Sequence, residues 1–255
     1  MTDLAQIQDD AWLSDLFGYP VYRVEMPARA PANEDVLGPL RRRLEEMSDE
    51  PAFYYVKVSS SSVAQVEACA AMGFNVVDTS VTLERTGASA AGQSPGLEIR
   101  ESLPEEETPI LDMAEHVFTF SRFHLDPRMP AGLADKIKRA WVRECARGMR
   151  GEHLWVALLE GRPAGFLACL KKNEDGRAVW IIDLMGVDRT RRGLGVGRGL
   201  VDHFIREGAG HRALLRVGTQ AANIPSLRLY QRCGFLVSDT QYVLHAHVGQ
   251  PGGRP

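Results

Sequence analysis

A glycine-rich turn, Arg192-Gly193-Leu194-Gly195-Val196-Gly197, constrains what this chain can fold into and bind more than any other stretch. An apolar run typical of a strand, residues 179–187, precedes the turn, and an apolar run typical of a helix follows from Val196. Glycine allows positive φ and close approach to a ligand, and the free N–H groups and dipole of a helix N terminus favour an anion. The sequence therefore predicts a diphosphate site, with counter-charge from four nearby arginines, Arg189, Arg191, Arg192 and Arg198.

Two familiar diphosphate-binding loops do not match this turn. A dinucleotide-binding fold needs G-x-G-x-x-G after the first strand of a βαβ unit, whereas these glycines stand at 193, 195 and 197, late in the chain. A P-loop needs Lys and then Ser or Thr after its last glycine, and Arg198 and Gly199 follow here. The spacing therefore excludes both.

Composition indicates a globular protein without an extended charged surface. The chain has 255 residues, of which 44% are hydrophobic, and a formal net charge of -3, so nucleic acid is not an expected partner. Its four cysteines, at 69, 145, 169 and 233, are far apart, which favours reduced thiols over a zinc site or disulfides. The polar N-terminal stretch is unlike a signal peptide, and no apolar run approaches the ~20 residues of a membrane span. We therefore expect a cytoplasmic protein with no metal and no membrane segment.

The order of predicted elements indicates an α+β fold in two parts. A Gly/Ser/Ala-rich stretch at 86–95 is typical of a linker. It separates a small N-terminal domain, 1–85, from a larger domain, 96–247, with a flexible tail at 248–255. The larger domain is expected to interleave helices with a largely antiparallel sheet, which distinguishes it from a doubly wound dinucleotide fold.

The end of the first part is similar to the end of the second. Residues 73–83 and 234–244 share Gly, Phe, Val, Asp, Thr and Leu in one register, and each segment follows a predicted strand and helix. We interpret this as a half-domain repeat; the alternative is that a helix ending in glycine before a strand is simply common. The first copy has no glycine loop and has Cys69 where the second has Tyr230, so it is expected to shape the structure or the substrate site.

The form R-x-x-G-x-G at 192–197 resembles the coenzyme A pyrophosphate loop of the GNAT N-acetyltransferases. Residues 184–187 resemble the splayed fourth strand of that family, and a downstream signature is matched by Val217, Asn223, Ser226, Leu229, Tyr230, Gly234 and Phe235. The resemblance implies a mixed, mostly antiparallel sheet flanked by helices, a preceding half-GNAT-like domain, and acetyl-CoA as cosubstrate. It assigns acetyl-CoA binding to Met185, Val187, Arg192, Gly193, Gly195, Val196, Gly197, Arg198 and Asn223.

The resemblance also assigns the chemistry. Tyr230 is expected to be the general acid toward the departing thiolate, because a phenol with a pKa of about 10 is protonated at neutral pH. Asn223 suits a helix N-cap before Pro225, and the family implies an added contact to the cofactor. Asp183 interrupts an apolar strand, so it should either be paired or face the cleft as base, water anchor or amine counter-ion. Deprotonation through water alone is the alternative.

The acceptor is expected at the connection between two helices, residues 120–124. This stretch, together with 12–18 and 215–220, resembles the dTDP-4-amino-4,6-dideoxygalactose N-acetyltransferases of bacterial surface-polysaccharide synthesis. The resemblance implies a nucleotide-linked aminosugar at Arg122, Phe123 and His124, with Arg122 on the diphosphate and Phe123 on the sugar or base. The alternative is a capping loop with Arg122 in a surface ion pair and Phe123 in the core. Another amine, a catalytically silent acetyl-CoA sensor and a homodimer remain open.

Overall fold

The computed structural model describes residues 4–27, 34–46, 50–87 and 96–249. Most of the predicted linker and the end of the predicted tail lie outside these residues. Within the described residues, ten strands and eight α-helices occur. The strands are β1 (Gln6–Asp9), β2 (Val21–Glu25), β3 (Ala52–Ser59), β4 (Asn75–Arg85), β5 (Leu97–Glu101), β6 (His153–Leu159), β7 (Arg162–Glu174), β8 (Arg177–Val187), β9 (Leu214–Gln220) and β10 (Leu236–Val248). The helices are α1 (Ala11–Phe17), α2 (Glu34–Glu46), α3 (Val63–Ala71), α4 (Glu107–Val117), α5 (Arg122–Leu125), α6 (Leu133–Ala146), α7 (Val196–Gly210) and α8 (Ile224–Arg232).

Contacts between residues divide the chain into two compact units. Unit 1 comprises Met1–Ser80, Ser121–Leu133 and Asp239–Pro255, and unit 2 comprises Val81–Phe120 and Ala134–Ser238. The division expected from the linker, by contrast, places one uninterrupted segment on each side of residues 86–95. The two units differ from this expected division because the segments Ser121–Leu133 and Asp239–Pro255, distant in sequence, also belong to unit 1.

In unit 1, strands β1, β2, β3 and β10 pair side by side. β1 is antiparallel to β2, β2 is parallel to β3, and β10 is antiparallel to β3. Alternation along β3 places Tyr54, Val56 and Val58 on one face, where they pack in a core with residues of α2 and α3. The opposite face therefore carries Phe53, Tyr55 and Lys57.

In unit 2, β5, β6, β7 and β8 form an antiparallel meander, and β9 joins β8 in parallel. Neighbouring residues of β6 point to opposite faces: Trp155 packs in a core with α7 and α8, whereas Val156 packs in a second core with α4 and α6. Helices therefore cover both faces of a mixed, mostly antiparallel sheet, and the predicted α+β class is confirmed. No helix among the described residues is both long and apolar enough to cross a bilayer.

In each predicted repeat copy, the last strand begins in one unit and ends in the other. Residues 81–85 of β4 belong to unit 2, where Leu83 is in the core, and residues 239–248 of β10 belong to unit 1, where Gln241–Val248 pairs with β3. Both copies have the same order of elements, β3-α3-β4 and β9-α8-β10. Unit 1 is therefore complete only when β10, the last strand among the described residues, has joined it.

Candidate active site

Strands β8 and β9 pair over only part of their length. The parallel ladder joins Val179–Ile182 to Leu214–Val217, although β8 continues to Val187 and β9 to Gln220. The ladder stops at a bulge, since Ile182 pairs with Cys169 and Leu184 with Ala168, leaving Asp183 as the extra residue. A bulge increases the local twist of a strand. Residues 184–187 of β8 thus lie beyond the ladder with β9, as predicted for a splayed strand.

The glycine turn ends in a helix whose first N–H groups are free. Gly193 and Gly195 have φ of 80° and 83°, a left-handed conformation that glycine adopts without strain. Gly195 is the N-cap of α7 and offers no side-chain hydrogen bond. The first intrahelical bond runs from Gly199 N to Gly195 O at 2.9 Å, so the N–H groups of residues 196–198 have no intrahelical acceptor. This arrangement fits a bound anion.

The arginines around the turn differ in what holds them. Arg192 is exposed and donates to two backbone carbonyls, from Nη2 to Val117 O at 3.2 Å and from Nε to Val187 O at 3.5 Å. Arg198 instead donates from Nε to the buried Asp202 carboxylate at 2.8 Å, one helical turn on. The bonds to neutral carbonyls do not neutralise the positive charge of Arg192, whereas the Asp202 carboxylate neutralises the charge of Arg198.

Helix α8 places Asn223 at its start and Tyr230 near its end. Asn223 Oδ1 accepts from Ser226 N at 3.3 Å, so the predicted N-cap is confirmed. The Tyr230 side chain is 4% exposed, and its ring meets Phe235 edge-on at 6.0 Å between centroids. Burial raises the pKa of Tyr230 above its ordinary value, so the phenol keeps its proton at neutral pH. Nearby Cys233 is also buried, and burial raises its pKa to about 11.

Asp183 is held in an ion pair. Arg150 donates from Nε to Oδ2 at 2.7 Å and from Nη2 to Oδ1 at 3.1 Å, and Trp141 Nε1 donates to Oδ2 at 2.7 Å. The Arg150 guanidinium also lies over the Trp141 ring, 4.5 Å from its centroid. Of the alternatives drawn from the sequence, the structure shows the paired one. Abstraction of a proton by Asp183 would first have to disturb three hydrogen bonds.

The expected acceptor residues all lie in unit 1, on α5. The Phe123 side chain is 2% exposed, 6.4 Å from the Phe17 ring and 6.3 Å from the His245 ring between centroids. Phe123 therefore occupies the core, as in the capping-loop alternative. Arg122 does not follow that alternative, because its guanidinium carbon lies 3.8 Å from the Tyr55 ring centroid. His124 Nδ1 is 2.6 Å from Ser121 Oγ.

A cluster of Asp126, His245 and His247 was not anticipated from the sequence. Asp126 Oδ2 accepts from His245 Nδ1 and His247 Nε2, each at 2.8 Å, and Oδ1 accepts from Arg128 N at 3.0 Å. Burial alone would raise the pKa of Asp126, but these hydrogen bonds outweigh it and hold that pKa well below its usual range. The signal available in the sequence was H-x-H in a strand, which places both rings on one face.

Two imidazoles and a carboxylate are also a ligand set for a cation. Here the contacts between them are hydrogen bonds, because the shared carboxylate oxygen accepts both ring N–H groups at 2.8 Å. The Arg128 guanidinium lies 3.6 Å from the other carboxylate oxygen and supplies positive charge there. The cluster therefore joins residues 121–133 to β10.

Comparison with known proteins agrees with this architecture. The Acetyltransferase (GNAT) family model matches residues 114–235. The chain is 26% identical to the spore coat polysaccharide biosynthesis protein SpsD of Bacillus subtilis (strain 168), over 95% of this chain and 83% of that protein. A GCN5-related N-acetyltransferase from Sphaerobacter thermophilus superposes with a TM-score of 0.60 and 16% identity, covering 97% and 77% of the two chains.

A tandem GNAT protein from the clavulanic acid biosynthesis pathway superposes with a TM-score of 0.61 and 17% identity, covering 92% of this chain and 77% of that one. At this identity the structural likeness establishes the fold, and the family model establishes the acetyltransferase domain. The predicted GNAT fold is thus confirmed. This chain carries an acetyltransferase domain of the GNAT family, and the match spans residues 114–235.

Proposed function

We propose that this protein transfers the acetyl group of acetyl-CoA directly to a primary amine, that of a nucleotide-linked aminosugar, in the cytoplasm. One observation carries the proposal. The free end of β8, residues 184–187, leads directly into a glycine turn and an uncapped helix N terminus. A diphosphate would bind at the free helix end. An extended chain joined to the diphosphate would lie along the edge of residues 184–187 that β9 leaves unpaired.

The residues of the turn fit coenzyme A. The N–H groups of Val196 and Gly197, together with the Arg192 guanidinium, would hold the pyrophosphate, and Asn223 would contact the same cofactor. A side chain at Gly193 or Gly195 would be strained at the observed φ. The bound cosubstrate supplies an activated acetyl thioester.

In this proposal Tyr230 is the general acid that protonates the departing thiolate. Its raised pKa keeps the proton available at neutral pH. Backbone N–H groups of β8 near Met185 and Val187 would stabilise the charge that develops on the carbonyl oxygen. The amine would lose its proton through water, since the Asp183 carboxylate is engaged by Arg150 and Trp141.

The acceptor class draws its support from the relative SpsD, whose name places it in polysaccharide biosynthesis. The sequence stretch at residues 120–124 adds its resemblance to aminosugar acetyltransferases. Arg122, Phe123 and His124 are proposed to belong to the acceptor-binding segment, with Phe123 supporting it from the core.

A thiol-release assay tests the proposal against its alternatives. Acetyl-CoA would be offered with dTDP-4-amino-4,6-dideoxygalactose, an arylamine, a polyamine and a peptide with a free N terminus. Turnover with the aminosugar supports the proposal. Turnover with another amine alone would contradict the acceptor, and acetyl-CoA binding without any turnover would indicate a sensor.

A further inference from the structure

Three buried side-chain nitrogens of unit 1 have no hydrogen-bond partner among the described residues: Arg122 Nη1, His245 Nε2 and His247 Nδ1. Burying a polar atom without a hydrogen-bond partner destabilises a protein, and native proteins nearly always provide such atoms with a partner. Three such nitrogens in one unit therefore point to a polar partner from outside the chain.

Two of these nitrogens belong to side chains that both meet the Phe123 ring, since the His245 ring lies 6.3 Å from it between centroids and the Arg122 guanidinium lies over it. His245 stands directly opposite Tyr55 in the ladder between β10 and β3, where paired residues share a face. The Arg122 guanidinium carbon lies 3.8 Å from the centroid of the Tyr55 ring and 4.4 Å from that of Phe123. The Tyr55 hydroxyl is itself fixed, since it donates to Asp10 Oδ2 at 2.8 Å.

The Asp126 carboxylate determines the hydrogen-bonding character of His245. A carboxylate only accepts, so the contact of 2.8 Å places the ring proton on His245 Nδ1. Burial lowers the pKa of His245 to about 4, so the ring is neutral near pH 7. His245 Nε2 is therefore an acceptor, whereas Arg122 Nη1 is a donor at any pH.

We infer that Arg122 Nη1 and His245 Nε2 bind one hydroxyl group of a carbohydrate. A hydroxyl accepts one hydrogen bond and donates another, as this pair of atoms requires. The lone pair of neutral His245 disfavours an anion, and the charge of Arg122 disfavours an ammonium group. The inference rests on the proposed function, because it names a contact that would hold the aminosugar. It also assigns Arg122 to a sugar hydroxyl instead of the diphosphate.

Two isosteric variants separate binding from support of the segment. In His245→Asn, the amide nitrogen can replace Nδ1 as donor to Asp126, while the acceptor Nε2 is lost. In His247→Gln, the matched control, the amide nitrogen can replace Nε2 as the other donor to Asp126. Arg122→Lys keeps the charge but loses the planar pair of N–H donors. If His245→Asn does not fold, sugar binding by Arg122→Lys tests the inference in its place.

Calorimetric titration would compare dTDP-4-amino-4,6-dideoxygalactose with analogues lacking either ring hydroxyl, and acetyl-CoA would be titrated separately. We expect removal of one hydroxyl to weaken binding to the wild type by about tenfold or more. That hydroxyl should make no difference to His245→Asn or Arg122→Lys, so the two losses should not add. His247→Gln should discriminate like the wild type, and all variants should bind acetyl-CoA equally.

Three results would overturn the inference. Discrimination by His245→Asn equal to that of the wild type would show that water, not sugar, fills the site. Equal losses in His245→Asn and His247→Gln would show that both residues only hold Asp126. A wild type that binds acetyl-CoA but none of the sugars would instead contradict the proposed acceptor. In that case the ring-nitrogen NMR signal of His245 decides separately, because an Nε2 already hydrogen-bonded in the free protein identifies water and overturns the inference.

Discussion

Arg150 donates two hydrogen bonds to the carboxylate of Asp183, at 2.7 and 3.1 Å. Asp183 is the extra residue of the bulge in β8, where the ladder with β9 ends. The ion pair therefore lies at the point at which the two strands separate. We therefore expect the Asp183 carboxylate to position strand β8, and not to act as a base.

Asp183→Asn separates positioning from proton abstraction. Because the variant leaves Arg150 partly buried and without its counter-charge, we expect the free energy of unfolding to fall by about 2–3 kcal/mol. The kcat of the folded enzyme should stay within about tenfold, less than the 10²–10⁴ supplied by a general base. Denaturant titration and steady-state kinetics measure the two effects, with Arg150→Met as the matched variant. A stable Asp183→Asn enzyme with kcat reduced beyond a hundredfold would make Asp183 the base.

Tyr230→Phe removes the proposed proton donor while keeping a ring in the core. We expect kcat to fall by about 10²-fold or more, because the thiolate must then leave without a positioned acid. The dissociation constant for acetyl-CoA, measured by calorimetry, should be nearly unchanged. Tyr242→Phe on β10 serves as the control for loss of a phenol. Unchanged kcat in Tyr230→Phe would remove this residue from the mechanism.

Gly195→Ala tests the anion site at the start of α7. Its φ of 83° costs a residue with a side chain roughly 1–2 kcal/mol, so the turn should shift away from its binding conformation. We expect affinity for acetyl-CoA to drop by about tenfold or more. Gly210→Ala, at the other end of α7, is the control, because nothing lies within 4 Å of its new methyl group. Equal affinity in both variants would argue against pyrophosphate binding at this turn.

Stability should decline on the acid side of neutrality because of His245. Its pKa in the folded protein is lowered to about 4, below the ordinary value of about 6.5, so the unfolded chain binds more protons between these pH values. The contribution is fully present above about pH 6.5 and is lost as pH falls toward 4, a change on the order of 3 kcal/mol. Urea titrations across this range should show a shallower pH dependence for His245→Asn. Identical curves for the two proteins would contradict the assignment.

The features that the sequence predicts well are local. Val196 as the start of a helix and Asn223 as an N-cap each depend on a few neighbouring residues, and both occur as expected. The partner of Asp183 could not be predicted, because Arg150 is 33 positions away and its own surroundings in the sequence are those of a surface residue. The same holds for Asp126, which is 119 positions from His245.

The pairing of β10 with β3 could not be predicted for a related reason. Residues 73–83 and 234–244 are similar in sequence, and pairing of each segment with the strand that precedes it is the simplest expectation. Only the ladder between β10 and β3, from Gln241↔Ser59 to Val248↔Ala52, shows where the last strand belongs. Long-range strand pairing depends on the packing of the whole chain, which a local pattern does not record.

Analysis of the reaction product tests the central claim most directly. The enzyme would be incubated with acetyl-CoA and dTDP-4-amino-4,6-dideoxygalactose, and released thiol and N-acetylated sugar would be quantified together by absorbance and mass spectrometry. We predict one N-acetylated sugar for each thiol released, and no thiol release with the matching sugar that carries a hydroxyl in place of the amine. Thiol release without an acetylated sugar, or acetyl-CoA binding with no release, would contradict the account.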